Sequence, residues 1–130
     1  MGNAMRRVRQ TMIAGLLVVG MLAVVQPVQA SFDSRLFRLR NGCWITAERS
    51  RNDSVIYAFT VRANRRCKRL YVAIVFETCS GHRGRYSSGW RRGSVEQHVP
   101  AQIKVIRTIH GGSNGNGRRT ARWPWGWNGC

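Results

Sequence analysis

Cysteine placement constrains this 130-residue chain more than any other feature. The four cysteines are Cys43, Cys67, Cys79 and Cys130. An even count in a small chain without a C-x-x-C pair reads as two disulfides. A metal site is disfavoured, because His82, His98 and His110 are scattered. Four cysteines allow three pairings. Lys68 to Thr78 reads as one continuous strand between Cys67 and Cys79. The twelve steps from Cys67 to Cys79, at roughly 3.3 Å each, hold the two cysteines about 40 Å apart, and a disulfide needs Cα atoms within about 7 Å. Cys43 opens an earlier strand. A turn at Arg51-Asn52-Asp53 reverses the chain, and the next strand ends near Ala63. Cys43 and Cys67 then fall at one end of an up-and-down sheet and Cys79 at the other. The expected bridges are therefore Cys43–Cys67 and Cys79–Cys130. The second closes a loop of about 50 residues, worth about 3–4 kcal/mol in the chain-entropy model.

Disulfides imply an oxidising compartment, and the first thirty residues agree. Arg6, Arg7 and Arg9 form a positive start with no acid nearby, and Thr11 to Val25 is an uncharged, mostly apolar run. Gln26-Pro27-Val28-Gln29-Ala30 then puts small apolar residues before a cut after Ala30. This is the pattern of a cleaved secretory signal peptide. The apolar run is shorter than the roughly 20 residues that cross a bilayer, so no transmembrane span is expected in the mature chain. The protein is expected to be secreted or periplasmic. Cleavage removes three arginines and leaves 100 residues, Ser31 to Cys130, with a formal charge of +14. A chain of that size buries only about two-thirds of its unfolded surface, so covalent staples are in character.

Helical periodicity is poor and strand signals dominate. Val55, Tyr57, Phe59 and Val61 alternate with Ile56, Ala58, Thr60 and Arg62. In LYVAIVFE, Leu70, Val72, Ile74 and Phe76 make one apolar face, and Tyr71, Ala73 and Val75 make the other. A strand apolar on both faces is central and covered on both sides. Cys43 to Ala47 is a shorter strand, and Ile103, Val105 and Ile109 alternate with Lys104, Ile106 and Thr108. Val95 to Val99 offers a short piece before Pro100. Ser80 to Ser94 reads as a long Gly/Arg/Ser loop, and Gly111 to Gly117 as flexible linker. The expectation is an all-β, disulfide-stapled antiparallel sandwich or open barrel of about five strands. Residues 1–30 are the signal peptide, 31–110 the β-domain, and 111–130 a flexible Gly/Arg/Trp-rich tail tethered by Cys130.

The charge points to a partner. The chain has 22 Lys and Arg against 5 Asp and Glu, a formal +17. Beyond the leader, nearly all the cations are arginine, whose planar fork grips phosphate and carboxylate and stacks on aromatic faces. Arg83, Arg85, Arg91 and Arg92 form one cluster, and Arg118, Arg119 and Arg122 form another just ahead of Trp123, Trp125 and Trp127. In Arg118 to Trp127 the arrangement resembles Trp/Pro/Arg-rich antimicrobial peptides. That resemblance implies contact with an anionic membrane surface, and indoles also stack on sugars or bases. An equal expectation is that the tail folds back and its tryptophans cover the sheet.

No catalytic motif stands out, and no cofactor or metal is expected. Were the chain an enzyme, Glu77, His82, His98 and His110 would supply acid–base groups and arginine the phosphate contact, as in a small secreted ribonuclease. The favoured reading is an exported cationic protein that binds an anionic cell-envelope component or other polyanion through arginine loops and the Trp tail. A third reading is an accessory or structural subunit of an envelope assembly, with the charge serving a protein partner.

Overall fold

The computed structural model describes residues 31–130; the signal peptide expected over residues 1–30 lies outside the described residues. Among the described residues there are eight strands and no helix. They are β1 (Ser31–Arg38), β2 (Trp44–Arg51), β3 (Val55–Arg62), β4 (Arg69–Glu77), β5 (Arg83–Ser87), β6 (Val95–Pro100), β7 (Lys104–Ser113) and β8 (Arg118–Asn128). Two four-stranded antiparallel sheets result. Sheet 1 has the order β1-β2-β3-β6, and sheet 2 the order β5-β4-β7-β8. The all-β, disulfide-stapled expectation is met as two sheets rather than about five strands. Consecutive strands pair as hairpins within each sheet, but the chain changes sheet after β3, after β5 and after β6.

The inner faces follow the period of two. Ile45, Ile56, Ala58, Val95 and Val99 of sheet 1 meet Leu70, Val72, Ile74, Phe76 and Val105 of sheet 2 in one buried cluster. β4 is central, as its two apolar faces demand. Its second face holds Tyr71 and Ala73, which pack with Ile109 under Val75 and Trp90. The expected alternation of Ile103, Val105 and Ile109 on one face fails at a bulge. The register with β4 steps from Phe76↔Val105 to Val75↔Arg107. One extra residue, Ile106, sends Val105 inward and Ile109 outward.

Both disulfides form as expected from the strand geometry. Cys43–Cys67 spans 4.8 Å between Cα atoms and Cys79–Cys130 spans 5.6 Å. The first sits buried at one end of the inter-sheet core, and the second ties the end of β8 to the end of β4.

Three strands fall where none was expected. β1 precedes Cys43, β5 lies inside the Ser80–Ser94 stretch, and β8 occupies most of the segment expected to be a flexible tail. β7 also runs through Gly111, Gly112 and Ser113, all buried. These glycines act as packing sites. A Cβ on Gly112 would collide with Cys43 Sγ, and one on Gly111 would come within 2.8 Å of the Trp90 ring. The reversal is confined to residues 114–117. There Asn114 Oδ1 accepts from the backbone N–H groups of Asn116 and Gly117, and Gly115 has φ +98°.

Gly112→Ala is expected to destabilise the fold by about 1–3 kcal/mol through overpacking, a fall of at least several degrees in melting temperature. Gly126→Ala, with nothing within 4 Å of the added Cβ, is the control and should stay within about 0.5 kcal/mol. Thermal melts of both decide. Equal melting temperatures would mean that the disulfide does not need the missing side chain.

Candidate functional site

Residues directly opposite across a ladder share a face, so the registers assign every strand side chain. On the outer face of sheet 2, Arg83 and Arg85 of β5 stand opposite Glu77 and Val75 of β4. Lys104 and Arg107 of β7 flank the same two β4 residues from the other side. Arg122 of β8 lies opposite Ile109, and Arg118 opposite Ser113, which in turn pairs with Arg69. Seven cations thus share a single sheet face with one carboxylate, Glu77, at its β4 end. Their centre is the apolar patch of Tyr71, Ala73, Ile109, Val75 and Trp90.

Part of this cationic face is held in place by aromatic rings. Arg85 Nη2 donates to the Tyr71 hydroxyl at 2.5 Å. The Arg118 guanidinium lies 5.0 Å from the centre of the Trp90 ring, within cation–π range. Tyr71 and Trp90 are themselves stacked at 5.0 Å. The outer face of sheet 1 is different in kind. Phe32, Leu36, Trp44, Tyr57, Phe59 and Val61 share it with Glu48 and Glu96, and its one arginine, Arg38, is stacked on Trp44. Charge is therefore sorted by sheet.

The Trp tail resolves toward packing. Ala121, Trp123, Trp125 and Trp127 alternate inward along β8 and are half-buried. Two arginines of β2 reach across from sheet 1 to meet them. Arg49 lies 3.6 Å from the Trp123 ring centre and 4.6 Å from that of Trp125, and Arg51 lies 3.9 Å from that of Trp127. Arg49 is 5% exposed. Its Nη1 donates to the carbonyls of Trp123 and Pro124, and its Nη2 to Asp33. Burial lowers the pKa of this guanidinium, with Asp33 opposing. The Trp127 indole donates to Ala101 O. All three indoles lie on the side of β8 that faces the other sheet. Arg119 points to the other side from Arg118 and Arg122. With Arg38 and Arg40 it borders a groove beside Phe37.

The four acid–base candidates are not brought together. Glu77 and His82 sit at one end of the β4–β5 hairpin, where His82 Nδ1 is 3.2 Å from Ser80 Oγ. His98 is on the outer face of sheet 1, 3.7 Å from Glu96. His110 is fully buried between the sheets. There Thr60 gives its proton to Tyr71 O, so its Oγ1 accepts from His110 Nδ1–H at 2.9 Å. His110 Nε2 then accepts from Thr108 Oγ1 at 2.9 Å. A neutral ring satisfied on both nitrogens is a core residue. Burial, and secondly the charge of Arg49, push its pKa down to about 3.

The molecule belongs to the class of small antiparallel β-sandwiches stapled at both ends by disulfides. No family model matches the chain, and no curated protein or solved structure matches it either.

Two outcomes follow from the buried groups. The unfolded His110 takes up a proton near its ordinary pKa of 6.5, and the folded one only near 3. Stability should therefore fall as pH drops below about 6.5, by up to about 1.4 kcal/mol per unit from this group. His110→Gln keeps both hydrogen-bonding roles and should flatten that slope in denaturant titrations at pH 4 to 7; an unchanged slope would place the titration elsewhere. Arg49→Lys should cost about 1–3 kcal/mol, because an ammonium cannot stack flat on two indoles while reaching two carbonyls. It should also raise quenching of tryptophan fluorescence by acrylamide.

Proposed function

We propose that this chain is an exported cationic domain that binds an anionic polymer or anionic cell-envelope surface across the outer face of sheet 2. The observation that carries the reading is the ratio of seven cations to one carboxylate on that face. Two of its arginines are held by Tyr71 and Trp90. Preorganised donors lose less rotamer freedom on binding than free side chains do. The two disulfides are consistent with an oxidising compartment, and the leader read from residues 1–30 supports export. The arginines of β4, β5, β7 and β8 replace the Trp tail as the contact surface in this reading.

A second reading, an accessory subunit held by a protein partner, draws support from the outer face of sheet 1. Phe32 and Leu36 are 64% and 46% exposed there. The two readings separate by salt, since apolar contact resists screening and phosphate contact does not.

Binding to a sulfated or phosphorylated polymer, such as heparin or polyphosphate, is expected to weaken steeply with salt. If four cations engage, the log–log slope should be about −3 to −4. Arg107→Ala with Arg122→Ala should reduce the slope by about 1–2, and Arg38→Ala on the other sheet should leave it unchanged. An affinity flat between low and physiological salt would overturn the proposal.

A further inference from the structure

At the Cys43–Cys67 end of sheet 2 two distant segments are locked together. Leu70 N–H donates to Arg91 O at 2.7 Å, and Arg91 N–H returns the bond to Leu70 O at 2.9 Å. From β3, Arg62 donates to the carbonyls of both Cys67 and Arg92, at 2.8 and 3.0 Å. Lys68 N–H is held by Ser113 O, beside the 114–117 reversal. The result is a depression of about 360 Å³ lined by Lys68, Arg69, Arg92 and Gly115. Among the described residues none of these three cations forms an ion pair. The scaffold holds like charges around one hollow, an arrangement that costs free energy until an anion enters.

From this geometry we infer that the depression is a site for a compact tetrahedral oxyanion, the phosphate or sulfate monoester group of an anionic ligand. Three cations from two segments, the adjacent Lys68 and Arg69 and the distant Arg92, suit a group with charge near −2, whereas a single carboxylate is satisfied by one arginine fork. The volume admits that group with its first attached sugar or glycerol unit. Arg69 borders both this hollow and the cationic face of sheet 2, so the inference deepens the polyanion reading and rests on it. A polymer crossing the face would present a terminal or branching ester here.

The test is titration of the Ser31–Cys130 domain, disulfides intact, with inorganic phosphate and glycerol 1-phosphate at constant ionic strength, followed by calorimetry. Saturable binding is expected. Lys68→Ala with Arg92→Ala should weaken it about tenfold or more. Without phosphate that variant should melt at or above the parent temperature, because a repulsion has been removed. Arg83→Ala with Arg85→Ala should leave phosphate binding within about twofold, although it weakens binding to heparin. Equal losses in the two double variants would reduce the effect to general screening and overturn the site. So would absence of saturation in the parent. Vesicles carrying phosphatidic acid or phosphatidylglycerol at equal charge identify the source. Preference for the monoester lipid that is lost in the Lys68/Arg92 variant assigns a headgroup, and saturation by soluble phosphate alone assigns a free or polymer-borne ester. If heparin binding fails in the parent while phosphate still saturates, the polyanion reading falls and the oxyanion site stands.

Discussion

Arg49 is a cation placed inside a sandwich, and much of the molecule's shape depends on how that charge is accommodated. A buried guanidinium is costly unless its donors are met. Here two donors find carbonyls of β8 and one finds Asp33 of β1, Nε is left without a partner, and the guanidinium lies against the rings of Trp123 and Trp125. The contact joins β2 of sheet 1 to β8 of sheet 2 and closes the edge where the aliphatic core runs out. Arg51 on Trp127 repeats the motif two residues on. Docking β8 in this sense fixes its other face. With Trp123, Trp125 and Trp127 inward, Arg122 and Arg118 must point outward. The cationic face therefore depends in part on an arginine that it does not contain.

The neutral histidine nearby belongs to the same compromise. His110 stacks on Phe37 at 6.4 Å between ring centres and meets Trp123 at a tilt at 5.9 Å, and Arg49 disfavours its protonation. A second positive charge in this region would have no carboxylate to meet, since Asp33 already serves Arg49. Thr60 and Thr108 instead supply one acceptor and one donor, which a neutral ring can match and a protonated ring cannot. The arrangement makes His110 a structural group.

The sequence was informative where one side-chain pattern has one physical solution. The span of Lys68 to Thr78 excluded a bridge across it, and that exclusion with the up-and-down strand order led to both disulfides. LYVAIVFE could only be a covered central strand. β8 is hidden in the composition, because its arginine and glycine counts outweigh the spacing. The indoles at 123, 125 and 127 already alternate at the period of a half-buried strand, and Asn114-Gly115 is a reversal signal. β1 and β5 lack that alternation, since both are edge strands rich in exposed polar residues. Gly111 and Gly112 look like linker on composition alone. Their role appears only once the disulfide and Trp90 are seen to lie against them. The bulge at Ile106 was likewise invisible to a strict period of two.

The candidate face was half legible for a related reason. Arginine clusters at 83–92 and 118–122 stood out as runs, yet a run on a strand splits between two faces. Arg119 leaves the face that Arg118 and Arg122 share. Lys104 and Arg107, unremarkable in sequence, join it through register, and so does Arg69 from the basic run at 62–69. Arg49 and Arg51, equally plain, go inward to the tryptophans. What selects the face is which cations the ladders align, and the bulge at Ile106 is part of that selection. Without it Arg107 would face the core beside Arg49. The extra residue thus separates two arginines with opposite tasks, one that binds the sheets together and one that remains for a ligand.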